Sequence, residues 1–167
     1  MAALVVRLAY PADAGVLHEL AAETLPLACP PGLSQADISE FIKTHLSEEA
    51  FRWYLTNPTR VVWLAESDQH AVGYAMAVLG EPGDGAIGAM VAGRPTAELS
   101  KIYARAGQHG LGVGQALMDA FLVWAREQGC VSVWLGVNQQ NHRANAFYER
   151  SGFTVVGERE FLVGQAT

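Results

Sequence analysis

Apolar residues recur along this chain with two periods, and each change of period marks an element. ALVVRLA, Ala3 to Ala9, is short and β-branched and predicts a strand. Pro11 suits the first turn of a helix, and Val16, Leu17, Leu20 and Ala21 then recur at helical spacing within ADAGVLHELAAETL. The turn-rich PLACPPGLS, Pro26 to Ser34, is expected to end that helix. Ser34 precedes a second helix with Ile38, Phe41, Ile42 and Leu46 on its apolar face. A short third helix over SEEAFRWYL closes at Asn57-Pro58. RVVWLAE and AVGYAMAVLG, separated by SDQH, predict an antiparallel hairpin. EPGDGAIGAMVAGRP, Glu81 to Pro95, is glycine-rich and aperiodic and is expected to be a loop.

Beyond Pro95 the alternation resumes. AELSKIYA predicts a strand, and VGQALMDAFLVWAREQ a helix with Ala116, Leu117, Ala120, Phe121 and Trp124 along one side. VSVWLGV reads as a buried strand, NHRANAFYERSG as a short helix ending at Gly152, and FTVVGEREFLVG as a final extended run. The order β-α-α-β-β-β-α-β-α-β implies a mixed sheet with helices on its faces.

The 167 residues, 50% of them hydrophobic, suit one globular domain spanning 1–167, and no internal repeat or linker interrupts it. A net charge of -6, with 11 Lys and Arg spread along the chain, argues against nucleic acid as a partner. Cys29 and Cys130 stand far apart without a CxxC or His-rich partner set, so neither a metal site nor a disulfide framework is expected, and a reducing cytoplasm is the expected compartment. The amino-terminal stretch lacks a basic n-region and a cleavage site, and no run approaches the ~18 apolar residues of a membrane helix.

Candidate chemistry gathers at QHGLGVGQAL, Gln108 to Leu117, where Gly110, Gly112 and Gly114 alternate just before a helix. A dinucleotide fingerprint would need GxGxxG and an acid at the end of the next strand, where the chain has Val137 and Asn138. A P-loop would need Lys-Ser/Thr after the last glycine, where the chain has Gln115-Ala116. Two readings remain: a tight strand-to-helix turn, or an anion site in which backbone N–H groups and the helix dipole hold a pyrophosphate.

The segment Glu98 to Phe153 resembles the GNAT superfamily of acyl-CoA N-acyltransferases. The family's Arg/Gln-x-x-Gly-x-Gly/Ala turn is matched by His109-Gly110-Leu111-Gly112-Val113-Gly114, with His109 departing from the pattern. A second family element, Asn-x-x-Ala-x-x-Phe-Tyr-x-x-x-Gly-Phe, is matched by Asn141, Ala144, Phe147, Tyr148, Gly152 and Phe153. The resemblance implies an α/β (α+β) GNAT fold. Its mixed, mostly antiparallel sheet has about six or seven strands, splayed between strands 4 and 5, with about four flanking helices.

It also implies acetyl-CoA as co-substrate, no metal, and direct transfer to an amine. Backbone groups of Ile102, Tyr103 and Ala104 would pair with pantetheine. The amides of Gly110, Leu111, Gly112, Val113, Gly114 and Gln115 would take the pyrophosphate, with His109 beside them. Asn141 would bond pantetheine or cap the last helix. Tyr148 would protonate the leaving thiolate, its bland alternative being a packed core tyrosine. Glu98 would deprotonate the incoming ammonium directly or through water, or be merely a solvated strand-end charge. The five histidines and Cys29 read as surface or inert residues.

Glu19, Glu23, Asp37, Glu40, Glu48, Glu49, Glu81 and Asp84 flank the expected acceptor end, which favours a cationic acceptor unless they are ordinary surface charges. ELSKIYARAGQHGLGVGQALM, VWLGVNQQNHRANAFYERSGF and GEREFLVG resemble the bacterial spermidine/spermine acetyltransferase branch, where a further strand follows the last phrase. The resemblance therefore implies a small-molecule primary amine, such as a polyamine, as acceptor, and a possible homodimer. A catalytically idle acyl-CoA-binding module, and acetylation of a protein amino terminus or lysine, are the alternatives.

Overall fold

A computed structural model describes residues 4–29, 32–83, 85–107, 112–137 and 139–157. Strand β1 (Leu4–Leu8) leads through a 3-10 turn (Pro11–Asp13) into α1 (Ala14–Ala28), α2 (Gln35–His45) and α3 (Glu48–Thr56). The hairpin β2 (Arg60–Ser67) and β3 (His70–Leu79) follows, then α4 (Gly85–Met90), β4 (Thr96–Ala104), α5 (Val113–Glu127), β5 (Ser132–Trp134) and α6 (His142–Arg150). The described strands form one sheet in the order β1-β2-β3-β4-β5; the first three pairings are antiparallel and β4–β5 is parallel.

Local chemistry explains most boundaries. Ser34 and Ser47 accept hydrogen bonds of 3.0 Å from the amides of Asp37 and Ala50, capping α2 and α3. Asp68 (φ 55°) and Gln69 (φ 67°) are both left-handed, the two-residue turn that matches the twist of the β2–β3 hairpin. Arg7 on β1 donates to both carboxylate oxygens of Asp13, at 2.9 and 3.0 Å, and to Glu66 on β2 at 2.9 Å. That fork ties the edge strand to the first helical turn.

Both faces of the sheet are covered. Trp63, Ala65, Ala75, Ala77, Ala97 and Leu99 pack under Leu117 and Phe121 of α5. Val62, Leu64, Tyr74 and Met76 pack under α1 to α3, where Phe51 meets Tyr74 edge-on at 5.8 Å. Central residues of β2 and β3 are therefore buried in unbroken runs rather than alternately.

Four expectations need correction. The described sheet has five strands, not six or seven. The segment 81–95 is not wholly a loop: Gly85–Met90 is helical, and the Arg94 guanidinium donates to the carbonyls of Gly88, Val91 and Gly93 at 2.9 to 3.1 Å. Six residues are too few to register a period. Helix α1 runs through Pro26 to Ala28. Proline so near the carboxyl end removes one intrahelical bond, while Leu17, Leu20, Ala21 and Thr24 remain buried. Finally, VSVWLGV pairs only over Ser132–Trp134, residues 153–157 form no strand, and 158–167 lie outside the described residues.

The Arg7 fork makes stability depend on pH. Its hydrogen bonds hold the Asp13 carboxyl below the ordinary value of 3.8. A depressed folded value stabilises the fold above the unfolded value and is lost as pH falls through the acid range. Asp13→Asn is expected to lower Tm by a few degrees at pH 7 and to approach the parent as pH falls below the ordinary carboxyl value of 3.8, read by thermal denaturation across pH.

Candidate active site

The site begins where two strands part. β4 and β5 pair only at Thr96–Ser132, Ala97–Val133 and Glu98–Trp134. Thr96 closes this end, its hydroxyl donating to the Ser132 carbonyl at 3.1 Å and accepting from the Ser132 hydroxyl at 2.9 Å. β4 then continues to Ala104, while β5 has already ended. Among the described residues no strand pairs with the β5-facing edge of 99–104. Unpaired backbone groups of this kind need another partner.

A bulge decides which side chains face the opening. Leu99 pairs with Ala77 and Lys101 with Met76, so Ser100 is an extra residue in the ladder. Ala97, Leu99, Ile102 and Ala104 consequently lie toward α5, while Lys101 and Tyr103 turn to the α1–α3 side, where Glu98 also falls. Without the bulge Lys101 would point with Leu99 into the α5 core.

The start of α5 lies beside this edge because of a close approach. A Cβ on Gly73 of β3 would stand 2.7 Å from the Tyr103 carbonyl oxygen and 2.8 Å from Val113 Cγ1, so only glycine lets the helix start settle there. Gly112 caps the helix in the left-handed region (φ 84°) with no side-chain cap bond. The first-turn amides of Val113, Gly114 and Gln115 have no intrahelical acceptor, and this helix end is suited to an anion. A Cβ on Gly114 would sit 3.6 Å from the Phe147 ring, an ordinary contact, so packing against α6 does not demand that glycine. His109, Gly110 and Leu111 lie outside the described residues.

From the other side, α6 brings Tyr148. Its ring lies 5.5 Å from Phe147 and 6.1 Å from Phe153. Burial first, and then the neighbouring Tyr103, push its phenol above the ordinary range, so it keeps its proton. Tyr103 is raised by burial and by nearby Cys29, and its ring lies 5.7 Å from that of Tyr74. Asn141 Oδ1 accepts from the Ala144 amide at 3.2 Å, so its capping role is realised.

Two cationic residues that share the Tyr54 ring on the α1–α3 face escaped sequence reasoning. Lys101 Nζ lies 5.8 Å from the centroid of the Tyr54 ring, and Arg60 Cζ lies 5.0 Å from the same ring and 5.3 Å from Trp53. Burial first, then Arg60, lower the Lys101 ammonium to about 8, against the opposing pull of Glu98. No spacing rule reveals these two, because the bulge reverses the direction of Lys101 and Arg60 approaches from another strand.

The acidic surroundings are less negative than their count suggests. Glu23 pairs with Arg105 at 3.2 Å, Glu81 with Arg94 at 2.7 Å, and Glu48 with Arg52. Asp84 lies outside the described residues. A separate groove of about 500 Å³ between α1 and α2, lined by His18, Ile38 and Lys43 among others, contains no residue of β4, α5 or α6. The open β4 edge, with its convergent polar groups, is the better chemical site.

A mixed sheet that parts beside a glycine-started helix is the arrangement implied by the resemblance to the acyl-CoA N-acyltransferases. Residues 23–153 match the Acetyltransferase (GNAT) family. Uncharacterised N-acetyltransferases of Mycobacterium tuberculosis and Mycobacterium bovis are 42% identical over 152 residues, covering 91% of this chain and 90% of theirs. The PaiA N-acetyltransferase of Thermoplasma acidophilum, solved with coenzyme A, superposes with a TM-score of 0.77 at 20% identity, covering 92% of this chain and 91% of that one. An aminoglycoside N-acetyltransferase, also in complex with CoA, gives 0.72 at 17% identity, with 97% and 95% covered. The chain belongs to the GNAT family and is of the N-acetyltransferase class.

Gly73→Ala is expected to lower Tm by several degrees through overpacking, a cost of about 1–3 kcal/mol. Gly114→Ala should stay within about a degree of the parent, because only an ordinary contact forms. Thermal denaturation of the two variants side by side checks this contrast.

Proposed function

We propose that the protein moves an acetyl group directly from acetyl-CoA to the primary amine of a small molecule. The observation that carries this reading is the convergence of an unpaired β4 edge, an uncapped α5 start and a proton-holding Tyr148 on one opening. In this reading the amides of Gly110, Leu111, Gly112, Val113, Gly114 and Gln115 hold the pyrophosphate, with His109 beside them. The backbone of Ile102, Tyr103 and Ala104 pairs with the pantetheine arm, and Asn141 stands beside it while capping α6.

Acetyl-CoA supplies the activated thioester. Glu98, at the last paired position of β4, accepts the proton that the ammonium must lose before attack. Unpaired N–H groups of the bulged strand are available to the developing oxyanion. Tyr148 delivers a proton to the departing thiolate, whose thiol has an ordinary pKa of about 8.5. The raised phenol stays protonated through neutral pH, so the donor form is present, although the shift also makes it a weaker acid.

The reading is tested in two stages. Excess acetyl-CoA should raise Tm, since a ligand bound only by the native state stabilises it by mass action. Free thiol should then appear with an amine panel spanning polyamines, amino acids, aminoglycosides and peptide amino termini. Tyr148→Phe is expected to lower kcat at least about tenfold while the acetyl-CoA thermal shift persists. A thermal shift without thiol release for every amine would instead favour an idle CoA-binding module, and no shift would sink both.

A further inference from the structure

Arg60 and Lys101 are an unusual pair to find around one tyrosine ring. They come from different strands, yet both lie within 6 Å of the Tyr54 ring centroid, at 5.0 and 5.8 Å. Tyr54 itself is fixed, its hydroxyl donating to the His45 carbonyl at 2.7 Å. Arg60 Nε is buried and, among the described residues, has no hydrogen-bond partner. Ring contacts on a guanidinium supply no lone-pair acceptor for its N–H groups, and a buried donor without one is costly. Among the described residues Glu98 is the carboxylate that acts on Lys101, so two half-buried cations stand against one anion. Such an excess of partly desolvated positive charge favours a further anion.

The pair also lies at the proposed acceptor end. Lys101 follows the bulge on the open segment of β4, and Arg60, Val78 and Glu98 form one cross-strand row. Two strand spacings separate the backbones of Arg60 and Glu98 by about 10 Å. An amine at Glu98 would thus be several ångströms from an anion at Arg60. The acidic groups that argued for a cationic acceptor are, at Glu23, Glu48 and Glu81, already paired with arginines.

We propose that Arg60 and Lys101 form an anion-binding subsite at the acceptor end of the opening, so that the favoured acceptor is a primary amine that also carries a carboxylate or phosphate. This rests on the acetyl-transfer reading above. A guanidinium fork suits either oxyanion, and Lys101 adds a point charge from the thioester-bearing strand.

The test uses pairs of acceptors that differ in the anionic group: lysine against cadaverine, ornithine against putrescine, and phosphoethanolamine against ethanolamine. Thiol release by the intact protein should give kcat/KM at least about tenfold higher for the anionic member, and the first two pairs against the third separate carboxylate from phosphate. Arg60→Gln and Lys101→Met should bring the within-pair ratio toward one, chiefly through KM, and Arg60→Lys should restore part of it. Equal rates within each pair, or preference for the diamines, would overturn the proposal. A fall in both members by the same factor, with a lowered Tm, would mean that Arg60 only packs the end of β2, and would also overturn it.

A measurement without turnover guards against variants that fail to fold. The Arg60 Nε–H resonance of the wild-type protein, assigned through its own side-chain spins with CoA added, should shift with lysine or phosphoethanolamine and stay still with cadaverine. No response to either anionic probe overturns the subsite. A response with no thiol release from any acceptor leaves the subsite standing and sinks the acetyl-transfer reading.

Discussion

A strand that loses its partner on one side leaves a row of backbone donors and acceptors to be satisfied by something else. In this protein β4 is in that position from Leu99 onward, because β5 stays paired for three residues only. The pairing cannot simply be zipped further. Thr96 and Ser132 lock the closed end through their hydroxyls, and beyond Trp134 the chain turns away toward α6. Trp134, at the fork, has a buried indole N–H with no partner among the described residues. The remainder of the site is arranged around this open edge.

Two local features turn the open edge into a chemical site. The extra residue at Ser100 shifts the pleat, so that one strand sends Leu99 and Ile102 into the α5 core and Lys101 and Tyr103 to the other face. The missing side chain at Gly73 lets α5 begin against β3 and β4, which sets an uncapped helix amino terminus beside the same edge. Each is a departure from regular strand structure. Regularity is kept where burial requires it, in the central residues of β2 and β3 that are covered on both faces.

Periodicity carried the fold a long way. The hairpin, the Ser34 cap and the α5 face are all short-range features, each fixed by residues within one or two turns of the position they determine. What could not be read depends on contacts distant in sequence. Arg94 ties the helix Gly85–Met90 to the following loop by donating to the Gly88 carbonyl, and the burial of one face of α1 carries that helix past Pro26. The open edge of β4 was legible only because the glycine turn and the Asn-to-Phe phrase resemble a family; nothing within AELSKIYA announces that its neighbour ends early. Lys101 was hidden for the same reason, since alternation alone sends it to the wrong face.

Charge at the acceptor end shows why counting residues misleads and pairing informs. Along the sequence the helices and the 81–95 segment look acidic, but in space Glu23, Glu48 and Glu81 are each held by an arginine. Exposed pairs of this kind contribute little to stability, yet they remove the long-range field that a polycation would follow. Among the described residues an excess of positive charge lies instead with Arg60 and Lys101, where aromatic rings of α3 pack against the cations. Desolvation strengthens any anion contact made there and raises the cost of leaving those cations without one. In the proposed subsite the preference of the opening would be set by these two half-buried cations rather than by the acids on its surface.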